Sequence, residues 1–209
     1  FSVLKDVLME GRRVVNNITN VARIFFIKTI YSMLLSLFNI VTNTAFPFIP
    51  IQITLIDLVI EGYTSFFLSF LENSKPLQGT FLRTVIKNAL PYALTIIISI
   101  VLLTFSREGL GLGVEETETL MYLIIGGVSI FAVIEACRPF NRISTFLCTT
   151  TAIGFFFAVI LFKNLLHLSG ISEQGIIILV SALILAYIVV TGLKHLINNL
   201  SQDLEKASE

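Results

Sequence analysis

At 209 residues, with 55% hydrophobic and only 13% charged side chains and a mean hydropathy of +0.89, the chain carries about half the charge of a soluble domain, for which roughly 25% is usual. That composition excludes an ordinary water-soluble domain and indicates an all-α, polytopic membrane protein set in a lipid bilayer. Fourteen basic residues balance fourteen acidic ones, leaving no basic excess for a nucleic-acid partner, and none is expected.

The chain opens at Phe1 on about twenty polar residues of mixed charge. They show no cleavable signal pattern and read as the cytoplasmic stalk of something longer. A bilayer core of about 30 Å asks for roughly 20 apolar helical residues, and six such runs follow in residues 21–200: Val21 to Thr42, Phe46 to Leu71, Ala89 to Phe105, Leu120 to Cys137, Ser144 to Lys163, and Gly175 to Leu193. Their connections are polar or punctuated by Pro and Gly, and none is long enough for a second domain. Residues 201–209 form a cytoplasmic tail.

Charge orients the bundle. The stalk with Arg23, the second and fourth connections, and the C-terminal tail counted from Lys194 to Lys206 hold eleven of the fourteen basic residues, all on one side if there are six spans. The other side has Arg107 and Lys163 and gathers Glu108, Glu115, Glu116, Glu118 and Glu173. By the positive-inside rule both termini are cytoplasmic. The glycosylation-like triplets at Asn17 and Asn199 then lie on the wrong side to be used. "GLGLG", residues 109–113, follows a span and precedes acidic residues, and reads as a turn. His167 and His195 sit at span ends with no partner pattern. Gly126, Gly127 and Gly154 suit close helix packing. Cys137 and Cys148 lack metal-type or CxxC spacing and read as free thiols.

Charges within spans remain. A charged side chain at mid-membrane costs roughly 2.5–3.5 kcal/mol on insertion scales and persists mainly where it faces protein or a watery cavity. Asp57 and Glu61, spaced i, i+4, share one face of the second span. Two neighbouring carboxylates repel unless a cation, a basic residue or a proton settles them. Lys28 on the first span is an internal counter-charge, Glu135 on the fourth is a further oxygen donor or a partner of Arg138, and Thr29, Ser32, Gln52 and Thr54 add neutral polar groups. Pro50 and Gly62 weaken regular helical bonding around the carboxylates, which can expose carbonyl oxygens to a cavity. Such oxygen-rich surroundings suit calcium, magnesium, manganese or an alkali ion. A purely structural Lys28 salt bridge is the plainer alternative.

Three stretches resemble one family. "EGRRVVNNI", residues 10–18, is similar to the stalk entering the fifth transmembrane helix of P-type ATPases. "IPIQITLIDLVIEG", residues 49–62, resembles their sixth helix, which in calcium pumps reads Pro-x-Gln followed by Asn-Leu-Val-Thr-Asp-Gly. "IEACRPFNRIS", residues 134–144, looks like the end of their eighth helix. The resemblance implies the C-terminal membrane half of a P-type cation pump, closest to the calcium-pump branch and its bacterial relatives. It places Asp57, Glu61 and Glu135 at ligand positions for the transported cation, with calcium favoured over magnesium or manganese. Thr29 and Ser32 fall where calcium pumps have a ligand asparagine and glutamate, and Lys28 has no counterpart there, so one ion with a built-in counter-charge is expected.

The resemblance further implies partners outside the chain: the first four membrane helices, and cytoplasmic domains that bind ATP and magnesium. The Asp-Lys-Thr-Gly, Thr-Gly-Glu and Gly-Asp-Gly motifs do not occur in these residues, so no catalytic residue is assigned within the chain. A bacterial plasma membrane is the expected location. The competing reading is a six-span carrier or structural module with a proton relay or salt bridge at Lys28, Asp57 and Glu61. No similarity between the two three-span halves supports the paired repeats of a carrier.

Overall fold

The computed structural model describes residues 2–71 and 80–206. Residues 72–79 of the second connection, with Lys75, and the end of the tail at 207–209 lie outside the described residues. Six helices are long and apolar enough to cross a membrane, and no strand occurs among the described residues.

The first helix runs unbroken from Ser2 to Thr42, a length of about 60 Å at 1.5 Å per residue. The polar stalk and the first span are therefore one rod. The second helix begins at Pro50, not Phe46. Proline lacks an N–H, suits the first helical turn and holds the preceding residue extended, and Ile49 has φ −93° and ψ 155°. Its α-helical turns at Pro50–Ile56 and Tyr63–Leu68 flank a π-helical segment, Asp57–Gly62.

The third helix, Phe81–Ser106, starts two turns before its apolar run and takes in Arg83 and Lys87. "GLGLG" forms the turn that follows: the Leu110, Gly111 and Leu112 N–H groups bond back to Ser106, Glu108 and Arg107. Gly111 sits there at φ +65°, a conformation that glycine adopts without steric cost. The fourth helix, Val114–Ala136, takes Glu115 and Glu116 into its first turn, where carboxylates complement the helix dipole. The fifth, Arg142–Leu161, is capped by Asn141, whose Oδ1 accepts the Ser144 N–H at 2.8 Å. The sixth continues from Glu173 to Lys206, so most of the expected tail is helical.

The fourth helix is the hub and touches each of the other five. Its apolar stretch is 83% buried, against 11% for the sixth helix, whose exposed Ile and Leu side chains suit contact with hydrocarbon. Close approach to the hub needs small residues. A Cβ on Gly126 would overlap the Phe155 ring, and one on Gly127 would strike Leu183. Gly154 differs from expectation, since nothing lies within 4 Å of its would-be Cβ; it lines a groove beside Leu58, Tyr63 and Thr150. Cys137 and Cys148 are free thiols.

Candidate cation site

The second helix is pinned at both ends, which fixes the depth and rotation of its carboxylates. At its start, the buried Gln52 side chain accepts the Ile49 N–H at 3.0 Å and donates to the Leu166 carbonyl at 2.9 Å. The Tyr122 hydroxyl donates to the Gln52 carbonyl at 3.0 Å. Beyond its end, Asn17 Nδ2 donates to the carbonyls of Ser69 at 3.1 Å and Leu71 at 2.9 Å. The Gln52 amide is thus engaged in holding backbone, and Thr54 is exposed, with its hydroxyl on the Pro50 carbonyl at 3.0 Å.

Between these anchors the backbone widens. The Tyr63 N–H donates to the Leu58 carbonyl, five residues back, and such wide turns recur at functional sites. Gly62 closes the segment: a Cβ there would stand 3.2 Å from the Asp57 carbonyl oxygen. Asp57 and Glu61 both reach the first helix, where Lys28 Nζ lies 2.5 Å from Asp57 Oδ1 and 3.2 Å from Glu61 Oε2. One ammonium bridges two carboxylates.

The three side chains differ in environment. Glu61 is 3% exposed, Lys28 27% and Asp57 41%. Glu61 Oε2 is buried and, though ion-paired, receives no hydrogen bond. Asp57 therefore stands at the open edge and Glu61 at the closed end, an arrangement able to accept a cation from the edge once the ammonium moves aside. Lysine, on a flexible four-carbon stem, can make that move.

The other expected residues fall elsewhere. Thr29 is exposed and donates to the Phe25 carbonyl of its own helix at 3.2 Å. Ser32 lies one turn beyond Lys28, half-buried, with its carbonyl accepting from Ser36. Glu135 pairs with neither Asp57, Glu61 nor Arg138 among the described contacts: Lys194 on the sixth helix contacts Glu135 Oε2, and the Tyr92 hydroxyl donates to the same oxygen at 3.0 Å. Among the described residues, no group of three or more His, Cys, Asp or Glu side chains lies close enough to hold a metal. Each of the three carboxylates instead meets a lysine: Asp57 and Glu61 share Lys28, and Glu135 has Lys194. Sequence reading missed Lys194 and Tyr92. It assigned Lys194 to the cytoplasmic tail by charge alone, although the helical pattern continues beyond it.

No family model matches the chain. Similarity to individual proteins is substantial. It is 40% identical over 185 residues, 83% of this chain, to a probable cation-transporting ATPase, exp7, of Streptococcus pneumoniae. To the calcium-transporting ATPase CtpE of Mycolicibacterium smegmatis it is 27% identical over 80% of the chain. The CtpE of Mycobacterium bovis is 36% identical over 106 residues, 46% of the chain. The chain spans about a quarter of the length of the first two relatives, 24% and 23% respectively. With its six apolar helices, the chain is thus similar over most of its length to a portion of proteins named as cation-transporting ATPases.

Proposed function

We propose that this chain is the ion-translocating membrane portion of a bacterial P-type pump, with both ends cytoplasmic, and that Asp57 and Glu61 bind the transported cation while Lys28 is its built-in counter-charge. The observation that carries this reading is one lysine bridging two carboxylates on a π-helical segment inside a membrane span. A charge cluster of that depth is costly and is a functional-site hypothesis by default. The names of the relatives support a cation as cargo, and two of them name calcium. The hard oxygen donors suit that ion. ATP and magnesium would act in cytoplasmic domains of the whole pump, joined to this site through the long first helix.

In the cation-free state, the ammonium of Lys28 offsets the two carboxylates. Arrival of a divalent ion at Asp57 displaces it, and Glu61 completes the contact from within. Transport requires that two global states bind the ion with different affinity, and a shift of the first helix that moves Lys28 supplies such a difference.

The test is phosphoenzyme formation from ATP by the full-length pump, with calcium, manganese, potassium or magnesium alone, in wild type and in Asp57→Asn/Glu61→Gln. Calcium stimulation that vanishes in the double variant is the expected result. Phosphorylation indifferent to every added cation and to both substitutions would make the cluster a structural bridge.

A further inference from the structure

A second ion pair lies apart from the first, and its geometry is unusual for a lysine near the end of a membrane helix. Such a side chain can extend outward and place its charge among lipid headgroups at little cost. Lys194 does the opposite. From the largely exposed sixth helix, its ammonium turns inward to Glu135, donates to the Tyr92 hydroxyl oxygen at 2.7 Å, and stands 4.6 Å from the centroid of the Tyr92 ring. Tyr92 is 1% exposed, and its hydroxyl, donating to Glu135 Oε2 at 3.0 Å, closes the triad. The third, fourth and sixth helices each contribute one side chain.

A further positive charge borders this triad. Arg23 on the first helix is 6% exposed and donates from Nη2 to the Ala132 carbonyl at 3.3 Å, one turn before Glu135. Lys28 lies five residues beyond Arg23, about 7.5 Å further along the helix axis. The two clusters thus sit at different depths, and Glu135 already has an ammonium on it and a guanidinium nearby. An added metal ion would meet like charge there.

We propose that Lys194 is a tethered cation that occupies Glu135 and so restricts the pump to the single ion held at Asp57 and Glu61. The proposal rests on the reading of those two carboxylates as the transport site. Lys194 acts here through Glu135 and is a specificity-determining residue for the number of ions bound.

The experiment is equilibrium binding of radioactive calcium to the purified full-length pump, together with the calcium dependence of phosphoenzyme formation. Wild type is expected to bind one calcium with a Hill coefficient near 1. Lys194→Gln gains a second calcium, at least tenfold weaker, and Lys194→Arg does not. The second calcium disappears again in Lys194→Gln/Glu135→Gln. A folded Lys194→Gln that still binds one calcium overturns the proposal, as does a wild type that binds two. Lys194→Met serves if the glutamine variant does not fold, and the wild-type stoichiometry stands as a test independent of both. Failure of the underlying reading is seen separately, as calcium binding that survives Asp57→Asn/Glu61→Gln.

Discussion

Lys28 contacts two carboxylates that differ greatly in their access to water. The i, i+4 spacing showed that Asp57 and Glu61 share a face, and the lysine one span earlier was an available partner. Their unequal burial, 41% against 3% exposed, was not legible, because it depends on how the fourth and fifth helices close over the π-helical segment. Removing the lysine leaves Glu61 buried with neither an ion pair nor a hydrogen bond on Oε2. Lys28→Gln is expected to destabilise the cation-free protein by about 1–3 kcal/mol, less than for a fully buried pair because Asp57 is partly screened. Added calcium should restore that loss. The measurement is thermal unfolding of the purified pump with and without calcium, and the calcium-dependent rise in melting temperature should exceed that of wild type. An equal or smaller rise would show that Lys28 and the cation do not compete for the same charge.

Among the helices, the second is the least regular and the most informative. Pro50 and Gly62 mark it as irregular in the sequence, yet the two act differently. Pro50 starts the helix at a position where no hydrogen bond is lost, and the departure from α geometry falls entirely between Asp57 and Gly62. Gly62 suits the close approach to the Asp57 carbonyl, whose oxygen would stand 3.2 Å from a Cβ there. Gly62→Val would press a branched side chain on that carbonyl and strain the wide turn that aims both carboxylates. We expect a fall in apparent calcium affinity of about tenfold, equivalent to about 1.4 kcal/mol, read from the calcium titration of phosphoenzyme formation. An unchanged midpoint would separate the wide turn from cation binding. Some helix ends lie four to thirteen residues from the expected span ends for similar local reasons: proline delayed the second helix, while the charged flanks of the third, fourth and sixth joined their helices instead of ending them.

Across the whole molecule, the first helix is the only described element that runs from the polar stalk through the depth of the membrane. It carries Asn17, Arg23 and Lys28 in succession, which tie it to the end of the second helix, to the hub and to the carboxylate pair. Motion of this rod must therefore act on all three contacts. Asn17→Ala removes both hydrogen bonds to the Ser69 and Leu71 carbonyls, each worth about 0.5–1.5 kcal/mol. Calcium binding at equilibrium should survive in the full-length pump, while its stimulation of phosphorylation falls about five- to hundredfold, the range that a coupling loss of roughly 1–3 kcal/mol implies. Parallel loss of binding and stimulation would place Asn17 in the site's integrity and not in coupling.

Apolar length, basic-residue asymmetry and short connections were enough to read an all-helical membrane bundle of six spans, since each depends on local composition and on the thickness of a bilayer. The same local logic found Lys28, Asp57 and Glu61, because buried charge stands out in an apolar run. Partner choice among those charges was decided by packing. Glu135 is expected from the sequence at a ligand position, and the approach of the sixth helix to the hub brings Lys194 onto it. That approach depends on Gly127, which leaves room for Leu183. Which lysine meets which carboxylate is thus a property of helix packing, where distances of a few ångströms decide which opposite charge is in reach.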